Sequence, residues 1–291
     1  MRISSSTNSH EKNLWSDQII YPCQDAICAL RQAGFQAVDI NFHSYSLGDE
    51  PMTKDDWRTW CFQIRHVADE NGVCISQAHA PFYGLRSDGT ESPENRALME
   101  RAIEGAHICG VKQMVFHPFD VRENGWYSQQ KSKEYNLRLF SEYAEICHPY
   151  NISIAIENMI ENPGRNRRYC SAEDELIDLV DTLNDPLIGI CWDFGHANMN
   201  GVNQTAALKK IGKRLIALHV NDNGGKYDDH IAPYLGTIQW EPILSTLKEI
   251  GYDGDWTYEI HNFFNGQPDA LQSLALRYSY ELAQYMVSLA E

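Results

Sequence analysis

A chain of 291 residues, 43% of them hydrophobic, is long enough to fold as one globular domain with a large buried core. It contains no run near the ~18 apolar residues of a membrane span, and residues 1–6 lack the apolar stretch of a signal peptide, so we expect a cytoplasmic protein without membrane contact. The net charge of −16, from 24 basic and 40 acidic residues, disfavours binding to nucleic-acid phosphates, so no nucleic-acid partner is expected.

Short apolar, β-branched runs alternate along the chain with longer segments of helical periodicity. The runs predicted as strands are Ile3–Ser6, Ala37–Phe42, Val73–Ala78, Gln113–Phe116, Ile152–Ile156, Ile188–Trp192, Leu215–Val220 and Trp256–Ile260. The segments predicted as helices are 22–33, 53–71, 93–109, 129–148, 172–184, 203–211, 240–250 and 269–288.

This alternation predicts the α/β class, with a parallel sheet. Eight units in a chain of this length predict a single-domain (β/α)8 TIM barrel over residues 1–291. An open doubly wound sheet is the alternative. It would place a Gly-rich phosphate turn after the first strand, and Ser4–Ser9 contains no GxGxxG.

The chain has eight cysteines, none of which forms a CxxC pair, and most of them lie inside apolar segments. This placement predicts buried free thiols in a reducing compartment, in preference to disulfides or thiolate metal sites.

Six successive predicted strands, from the third to the eighth, end in side chains that bind metals or transfer protons. These are His79, His117, Glu157, Asp193, His219 and Glu259. The active site of a barrel is built at the C-terminal ends of its strands, so these side chains are expected to converge. Their O and N atoms suit Zn, Mn, Co or Mg.

Each of these residues has a purely structural alternative. Glu157 could pair with an arginine, and the histidines could be hydrogen-bonded core residues. Asp193 could cap a helix, although Phe194-Gly195-His196 shows no obvious helix start. Six separate structural roles at six equivalent strand ends are a less economical explanation than one shared metal site.

The residues around these positions form short motifs. They are Ile156-Glu157-Asn158, Trp192-Asp193-Phe194-Gly195-His196-Ala197, Leu218-His219-Val220-Asn221-Asp222, Asp228-Asp229-His230-Ile231-Ala232-Pro233, Gly236-Thr237-Ile238-Gln239-Trp240 and Tyr258-Glu259. From His79 to Glu259 the chain resembles the xylose isomerase-like superfamily of sugar isomerases and epimerases. The motifs indicate the superfamily strongly and the substrate weakly.

The ketose 3-epimerase branch of that superfamily implies one divalent metal, held by Glu157, Asp193, His219 and Glu259. It also implies that Glu157 and Glu259 move the proton as an enediolate forms and collapses, and that His196 binds a substrate oxygen. The charge argument agrees, because a cation stabilises the negative charge that develops on the two oxygens.

The same superfamily contains endonuclease IV, whose resemblance implies up to three zinc ions. Its nine ligands match His79, His117, Glu157, Asp193, His196, His219, Asp228, His230 and Glu259. The segment Ile231–Gly236 is instead similar to the sugar enzymes, and the loops after the early strands contain no basic, Asn- or Arg-rich set that would grip a duplex. One metal is therefore expected, with two further ones left open.

One basic segment, Gly164-Arg165-Asn166-Arg167-Arg168, follows the fifth strand. Arg165 and Arg168 are candidates for binding an anionic substrate such as a sugar phosphate, and a solvated loop is the alternative. Several aromatic residues in the loops could stack on a sugar ring, among them Trp15, Phe82, Tyr83, Trp126, Tyr127 and Tyr234.

The sequence therefore predicts a metal-dependent isomerase or epimerase of a carbohydrate, phosphorylated or not. A lyase or dehydratase of a keto-polyol or keto-glycoside on the same site is an alternative. A trinuclear zinc phosphodiesterase and a non-catalytic carbohydrate-binding barrel rank behind it. Barrels of this kind often self-associate, so homo-oligomerisation stays open.

Overall fold

Eight parallel strands form the central sheet in a computed structural model of the protein, which describes residues 1–13, 16–19, 21–86, 89–161, 167–265 and 267–290. The strands are β1 (Ile3–Ser6), β2 (Ala37–Asn41), β3 (Cys74–His79), β4 (Gln113–Phe116), β5 (Ser153–Glu157), β6 (Ile188–Asp193), β7 (Leu215–His219) and β8 (Trp256–Tyr258). Each strand pairs with the next along the chain from β1 to β7, and β1 also pairs with β8.

The sheet nearly closes between β7 and β8. The backbone N–H of Val220, just after β7, donates to the carbonyl of Thr257 at 2.8 Å, and the N–H of Glu259 donates to the carbonyl of Val220 at 3.0 Å. The predicted (β/α)8 TIM barrel is confirmed, and the strands lie within two residues of their predicted bounds.

Each strand of the barrel is followed by one main helix. These are α1 (Cys23–Ala33), α2 (Trp57–Asn71), α3 (Pro93–Cys109), α4 (Gln129–Cys147), α5 (Glu173–Leu183), α6 (Gln204–Ile211), α7 (Trp240–Ile250) and α8 (Asp269–Ala290). The predicted start of α2 at residue 53 is wrong. Pro51–Thr53 forms a separate 3-10 turn, in which Thr53 N–H donates to the carbonyl of Glu50.

Short extra elements occupy the loops at the C-terminal end of the barrel. They are the helices Asn8–Glu11, Phe42–Tyr45 and Phe194–Met199, the paired segments Lys12–Asn13 and Ser16–Ile19, and the hairpin of Arg122–Glu123 with Trp126–Tyr127. Because loops at this end surround the active site of a barrel, these elements shape the rim of any site there.

The core has two parts. Large side chains such as Trp192, Trp240 and Trp256 pack buried between strands and helices, whereas small ones such as Ala155 and Cys191 meet inside the barrel. All eight cysteines are free, as predicted; six are buried, Cys28 is half-buried and Cys74 is exposed. None of the helices in the described part of the chain is long and apolar enough to cross a membrane.

Candidate metal centre

The nine predicted ligand residues converge at the C-terminal end of the barrel. Their donor atoms form three groups, each with its atoms within 4.8 Å of one another. We name them the central cluster (Glu157, Asp193, His219, Glu259), the β3–β4 cluster (His79, His117, Glu157) and the loop cluster (His196, Asp228, His230). Glu157 belongs to two of them. The candidate ligands from six different strands are therefore brought together.

The central cluster places three carboxylates around one imidazole nitrogen. Nδ1 of His219 lies 2.9 Å from Oε1 of Glu157, 3.4 Å from Oε2 of Glu259 and 4.0 Å from Oδ2 of Asp193. All four residues are buried, and within the described ranges none of these carboxylates forms an ion pair with lysine or arginine. Buried carboxylates need a compensating positive charge, so the donor set fits a divalent cation.

The β3–β4 cluster contacts Glu157 through Oε2, whereas His219 of the central cluster contacts Oε1. Oε2 of Glu157 is 2.9 Å from Nε2 of His117 and 3.4 Å from Nε2 of His79. The two Nε2 atoms are 3.2 Å apart. Nδ1 of His79 donates to the carbonyl of Ala80 at 2.8 Å, which leaves its Nε2 lone pair directed at the cluster.

The loop cluster has the same arrangement of tautomers. Nδ1 of His196 donates to the carbonyl of Asn158, and Nδ1 of His230 donates to the carbonyl of Glu259, both at 2.8 Å. Their Nε2 atoms then face Oδ2 of Asp228 at 3.6 and 3.0 Å. A backbone acceptor behind each imidazole is the usual way in which proteins orient metal-binding histidines.

Two asparagines hold Asp193 in place. Oδ1 of Asn158 accepts from the Asp193 N–H at 2.6 Å, and its Nδ2 donates to the Asp193 carbonyl at 2.9 Å. Nδ2 of Asn221 donates to Oδ2 of Asp193 at 2.8 Å. Both asparagines stand in the sequence motifs, but no role could be assigned to them there, because their partners lie on other strands.

Asp193 also caps a helix, contrary to the sequence-based expectation. Its Oδ1 accepts from the His196 N–H at 2.7 Å, and the short helix Phe194–Met199 begins directly after it. Gly195 permits this close packing, since a Cβ atom there would lie 1.8 Å from Oδ1 of Asn221. The possible arginine partner of Glu157 is likewise not found among the described residues; its recorded ion-pair contacts are all histidines.

A buried aspartate supports the loop that carries Asp228 and His230. Oδ2 of Asp222 accepts from Nε1 of Trp240 at 2.9 Å and from the Tyr234 N–H at 3.1 Å. Its Oδ1 accepts from the Ile238 N–H at 3.2 Å. The aspartate therefore ties both ends of the loop to the start of α7, which explains the motif from Asp222 to Trp240.

The electrostatics of the clusters reflect burial opposed by ion pairing. Burial raises the pKa of Asp193 to about 6, although His196 opposes the shift. Burial would also raise the pKa of Glu259, but His219 and His230 outweigh it and lower that pKa to about 2. Burial lowers the pKa of His117 to about 4 despite the nearby Glu157. The site thus concentrates carboxylates that stay ionised only beside a positive charge.

A further buried carboxyl, Asp39 on β2, was missed in the sequence. Its Oδ2 accepts from Nε2 of Gln77 at 2.7 Å, and Oε1 of Gln77 accepts from Nε2 of Gln113 at 3.0 Å. Burial raises the pKa of Asp39 to about 6. A single charged residue inside the apolar run Ala37–Phe42 was the signal that could have identified it.

Of the two arginines predicted to bind an anion, the structure describes Arg168 but not Arg165. Arg165 lies outside the described residues, as does Trp15. Nε of Arg168 lies 3.0 Å from Oδ2 of Asp120, and Arg168 lines a cleft of about 620 Å³ that reaches His117. Phe82 stacks on His117 with ring centroids 4.7 Å apart, so one predicted aromatic residue does lie at the site.

Curated relatives of the chain include proteins of several activities. The chain is 31% identical to the uncharacterized protein MJ1311 of Methanocaldococcus jannaschii over 223 residues, which is 72% of this chain and 75% of the relative. It is 26% identical to the D-psicose 3-epimerase of Enterocloster bolteae, over 79% of this chain and 73% of that enzyme. It is 25% identical to the probable endonuclease 4 of Mesomycoplasma hyopneumoniae, over 60% and 63%.

Solved structures share the fold along the whole chain. A D-tagatose 3-epimerase-like protein superposes with a TM-score of 0.76 at 23% identity, covering 100% of this chain and 98% of the other. The IolI protein with a bound zinc atom superposes with a TM-score of 0.73 at 18% identity, covering 100% and 99%. The family model described as "Xylose isomerase-like TIM barrel" matches residues 27–280. The chain belongs to the xylose isomerase-like TIM barrel family.

Proposed function

We propose that the protein is a metal-dependent isomerase or epimerase of a sugar or sugar phosphate, with one divalent cation in the central cluster. The observation that carries the proposal is the donor set of Glu157, Asp193, His219 and Glu259, buried together without a lysine or arginine partner among the described residues. The relatives named as epimerases support the reaction class. Mn, Co, Mg and Zn all suit these O and N donors.

The reaction begins with removal of a proton from the carbon next to a carbonyl, which gives an enediolate. A cation bound in the central cluster would stabilise the negative charge on the two substrate oxygens. Glu157 and Glu259 are the proposed proton-transfer pair. They lie on β5 and just after β8, and their carboxylates approach Nδ1 of His219 from these two separate strands, from which each could reach a different face of a substrate.

The two carboxylates differ in how fully they are engaged. Glu157 contacts His219 through Oε1 and His117 through Oε2, both at 2.9 Å. The ion-pair contacts recorded for Glu259 within the described ranges, to His219 and His230, involve only Oε2. Oε1 of Glu259 is therefore the better placed atom to take or return the proton, and Glu157 is more constrained.

The remaining residues would bind and orient the substrate. His196, with its Nδ1 proton held by the carbonyl of Asn158, has its Nε2 3.6 Å from Oδ2 of Asp228, and this nitrogen could contact a substrate oxygen. The β3–β4 and loop clusters could instead hold up to two further cations. Arg168, and Arg165 outside the described residues, are the candidates for binding an anionic substituent.

Incubation with a panel of ketoses and ketose phosphates in deuterated water tests the reaction class. An epimerase or isomerase incorporates deuterium at one carbon, which proton NMR detects. A lyase, the alternative on the same site, instead gives a product that has lost an oxygen substituent. Absence of any exchange with Mn, Co, Mg and Zn each supplied would overturn the proposal.

A second candidate is hydrolysis of a phosphodiester, which is favoured by the grouping of nine donors in three clusters that share Glu157. The net charge of −16 disfavours binding to a duplex, because acidic side chains repel its phosphates. Cleavage of an abasic duplex with zinc supplied would support this candidate, and intact DNA would remove it.

A further inference from the structure

A cleft of about 620 Å³ lies beside the metal centre, between the loops that follow β3 and β4. Its volume is within the range of roughly 300–1,000 Å³ that is common for small-molecule sites. His117 lines the cleft and also contacts Glu157 at 2.9 Å, so the cleft opens next to the central cluster. A molecule with its carbonyl at the central cluster could therefore extend into the cleft.

The walls of the cleft are aromatic and held in place. Oε1 of Glu91 accepts from the hydroxyl of Tyr143 at 2.9 Å and also from the hydroxyl of Tyr83. Phe119 packs against Tyr83, with ring centroids 5.8 Å apart. The guanidinium of Arg96 lies 4.9 Å from the ring centroid of Tyr143. A wall fixed in this way loses little side-chain entropy when a ligand binds.

The charge of the cleft is opposite to that of the whole protein. Arg86, Arg122 and Arg168 line it, whereas Asp120 is the one carboxylate among the lining residues that the structure describes. Asp120 is already engaged, since its Oδ2 contacts Nε of Arg168 at 3.0 Å and its Oδ1 accepts from the Tyr169 N–H at 2.7 Å. Arg86 is also engaged, since its Nη2 lies 3.5 Å from Oε2 of Glu94. Three arginines against one lining carboxylate still give the cleft a local excess of positive charge in a chain of charge −16, which favours an anion.

Arg168 is the best oriented of the three. Its Nε is fixed by Asp120, and no hydrogen bond of its Nη atoms is recorded to any residue in the described part of the chain. A guanidinium held at one edge presents its remaining N–H groups in a fixed direction, which suits the oxygens of a phosphate or carboxylate.

We infer that this cleft binds an anionic group at the far end of the substrate, so that the substrate is a ketose with a terminal phosphate or carboxylate. The inference rests on the proposed function for the position of the carbonyl end. The binding of the anion itself depends only on the residues of the cleft.

Calorimetry with three probes tests this inference: D-fructose, D-fructose 6-phosphate and D-fructuronate, which bear no charge, a phosphate and a carboxylate. The titrations are made with metal-loaded and with EDTA-treated protein, because a phosphate could also bind a cation directly. We expect one of the two anionic ketoses to bind at least about 10-fold more tightly than D-fructose in both forms. Which of them does so identifies the anion.

Substitutions in the cleft should remove that preference. Arg168→Met and Arg122→Met should each reduce the preference for the anionic ketose about 10-fold or more. Arg168→Lys should give an intermediate preference, because lysine keeps the charge but lacks the planar guanidinium that binds two oxygens at once. Arg122 lies on an exposed hairpin, so its replacement leaves folding intact even if Arg168→Met does not. Arg214→Met is the matched control, since Arg214 pairs with Asp181 away from the cleft.

Equal affinity for the charged and neutral ketoses, or no detectable binding of either anionic ketose, would overturn the inference. So would a preference unchanged in both Arg168→Met and Arg122→Met. If no deuterium exchange occurs but the arginine-dependent preference persists in EDTA-treated protein, the reaction class fails and the anion site stands.

Discussion

Glu157 on β5 and His219 on β7 contact each other at the C-terminal end of the barrel, with Oε1 of the glutamate 2.9 Å from Nδ1 of the histidine. Both side chains are buried. The same carboxylate reaches His117 through its other oxygen. Glu157 is therefore the one residue through which the central and β3–β4 clusters are joined, and several consequences can be measured.

Replacement of Glu157 should affect two clusters, whereas replacement of His117 should affect one. We expect Glu157→Ala to lose cation from the central cluster and from any occupied β3–β4 cluster, because it donates one oxygen to each. His117→Ala should leave the central cation in place. Elemental analysis of gel-filtered protein measures both, with His148→Ala as control, since His148 pairs with Asp185 away from these clusters. Unchanged metal content in Glu157→Ala would contradict the assignment.

Replacement of the two proposed proton-transfer residues should lower the turnover rate by a larger factor than it lowers the metal content. For Glu259→Gln and Glu157→Gln we expect kcat to fall by about 10²- to 10⁴-fold, since an amide cannot accept the proton. In Glu259→Gln the metal content should fall by a smaller factor than kcat, because an amide oxygen can still coordinate a cation. Rate measurements on the substrate found by deuterium exchange check this, and full activity in both variants would exclude the pair.

Gly195 should be intolerant of even one added methyl group. A Cβ atom at this position would lie 1.8 Å from Oδ1 of Asn221, whose Nδ2 holds Asp193. We expect Gly195→Ala to weaken metal binding about 10- to 100-fold, the usual effect of disturbing the partners of a ligand. Gly84→Ala is the control, because nothing lies within 4 Å of a Cβ atom there. Equal metal affinity in the two variants would show that Asn221 does not position Asp193.

Removal of the cation should destabilise the fold. The carboxylates of the central cluster are buried and pair only with histidines among the described residues, so a cation would bind the folded state in preference to the unfolded chain. We expect EDTA to lower Tm by on the order of 5 °C, reversed by excess metal. Scanning calorimetry measures the shift. An unchanged Tm after proven metal removal would argue that histidines alone compensate the carboxylates.

The stability contribution of Asp39 should depend on pH. Burial raises its pKa to about 6 from the ordinary 3.8, so the folded state binds the proton more tightly than the unfolded state. The stabilisation is therefore complete below about pH 4 and is lost as the pH rises through about 6. Asp39→Asn removes this dependence and keeps an oxygen that can accept from Gln77.

Relative to wild type, the free energy of unfolding of Asp39→Asn should thus rise by about 1–2 kcal/mol between about pH 5 and pH 7.5. Urea unfolding of EDTA-treated proteins at the two pH values measures it, because a bound cation would itself change the pKa of the carboxyl. A relative stability that falls with pH would mean that Asp39 is ionised and stabilising in the fold.

The sequence determined the barrel and most of the residues that meet in the three clusters. Strand and helix periods are local properties, and the C-terminal ends of parallel strands must meet at one end of a barrel, so His79, Glu157 and His219 could be expected there from their positions alone. A glycine directly after α2 and after α3 is a further local signal, because glycine ends a helix in a conformation of positive φ at little cost; φ is 62° at Gly72 and 83° at Gly110.

Only the tertiary structure decided how these residues are grouped. That Glu157 is shared between two clusters, that Asp193 both caps a helix and faces the central cluster, and that Asn221 requires a glycine at position 195 all depend on distances between strands. The cleft with Arg168 also arises between loops that are far apart in the chain. Periodicity records which face of an element is buried, but it carries no information on which buried groups come within bonding distance of one another.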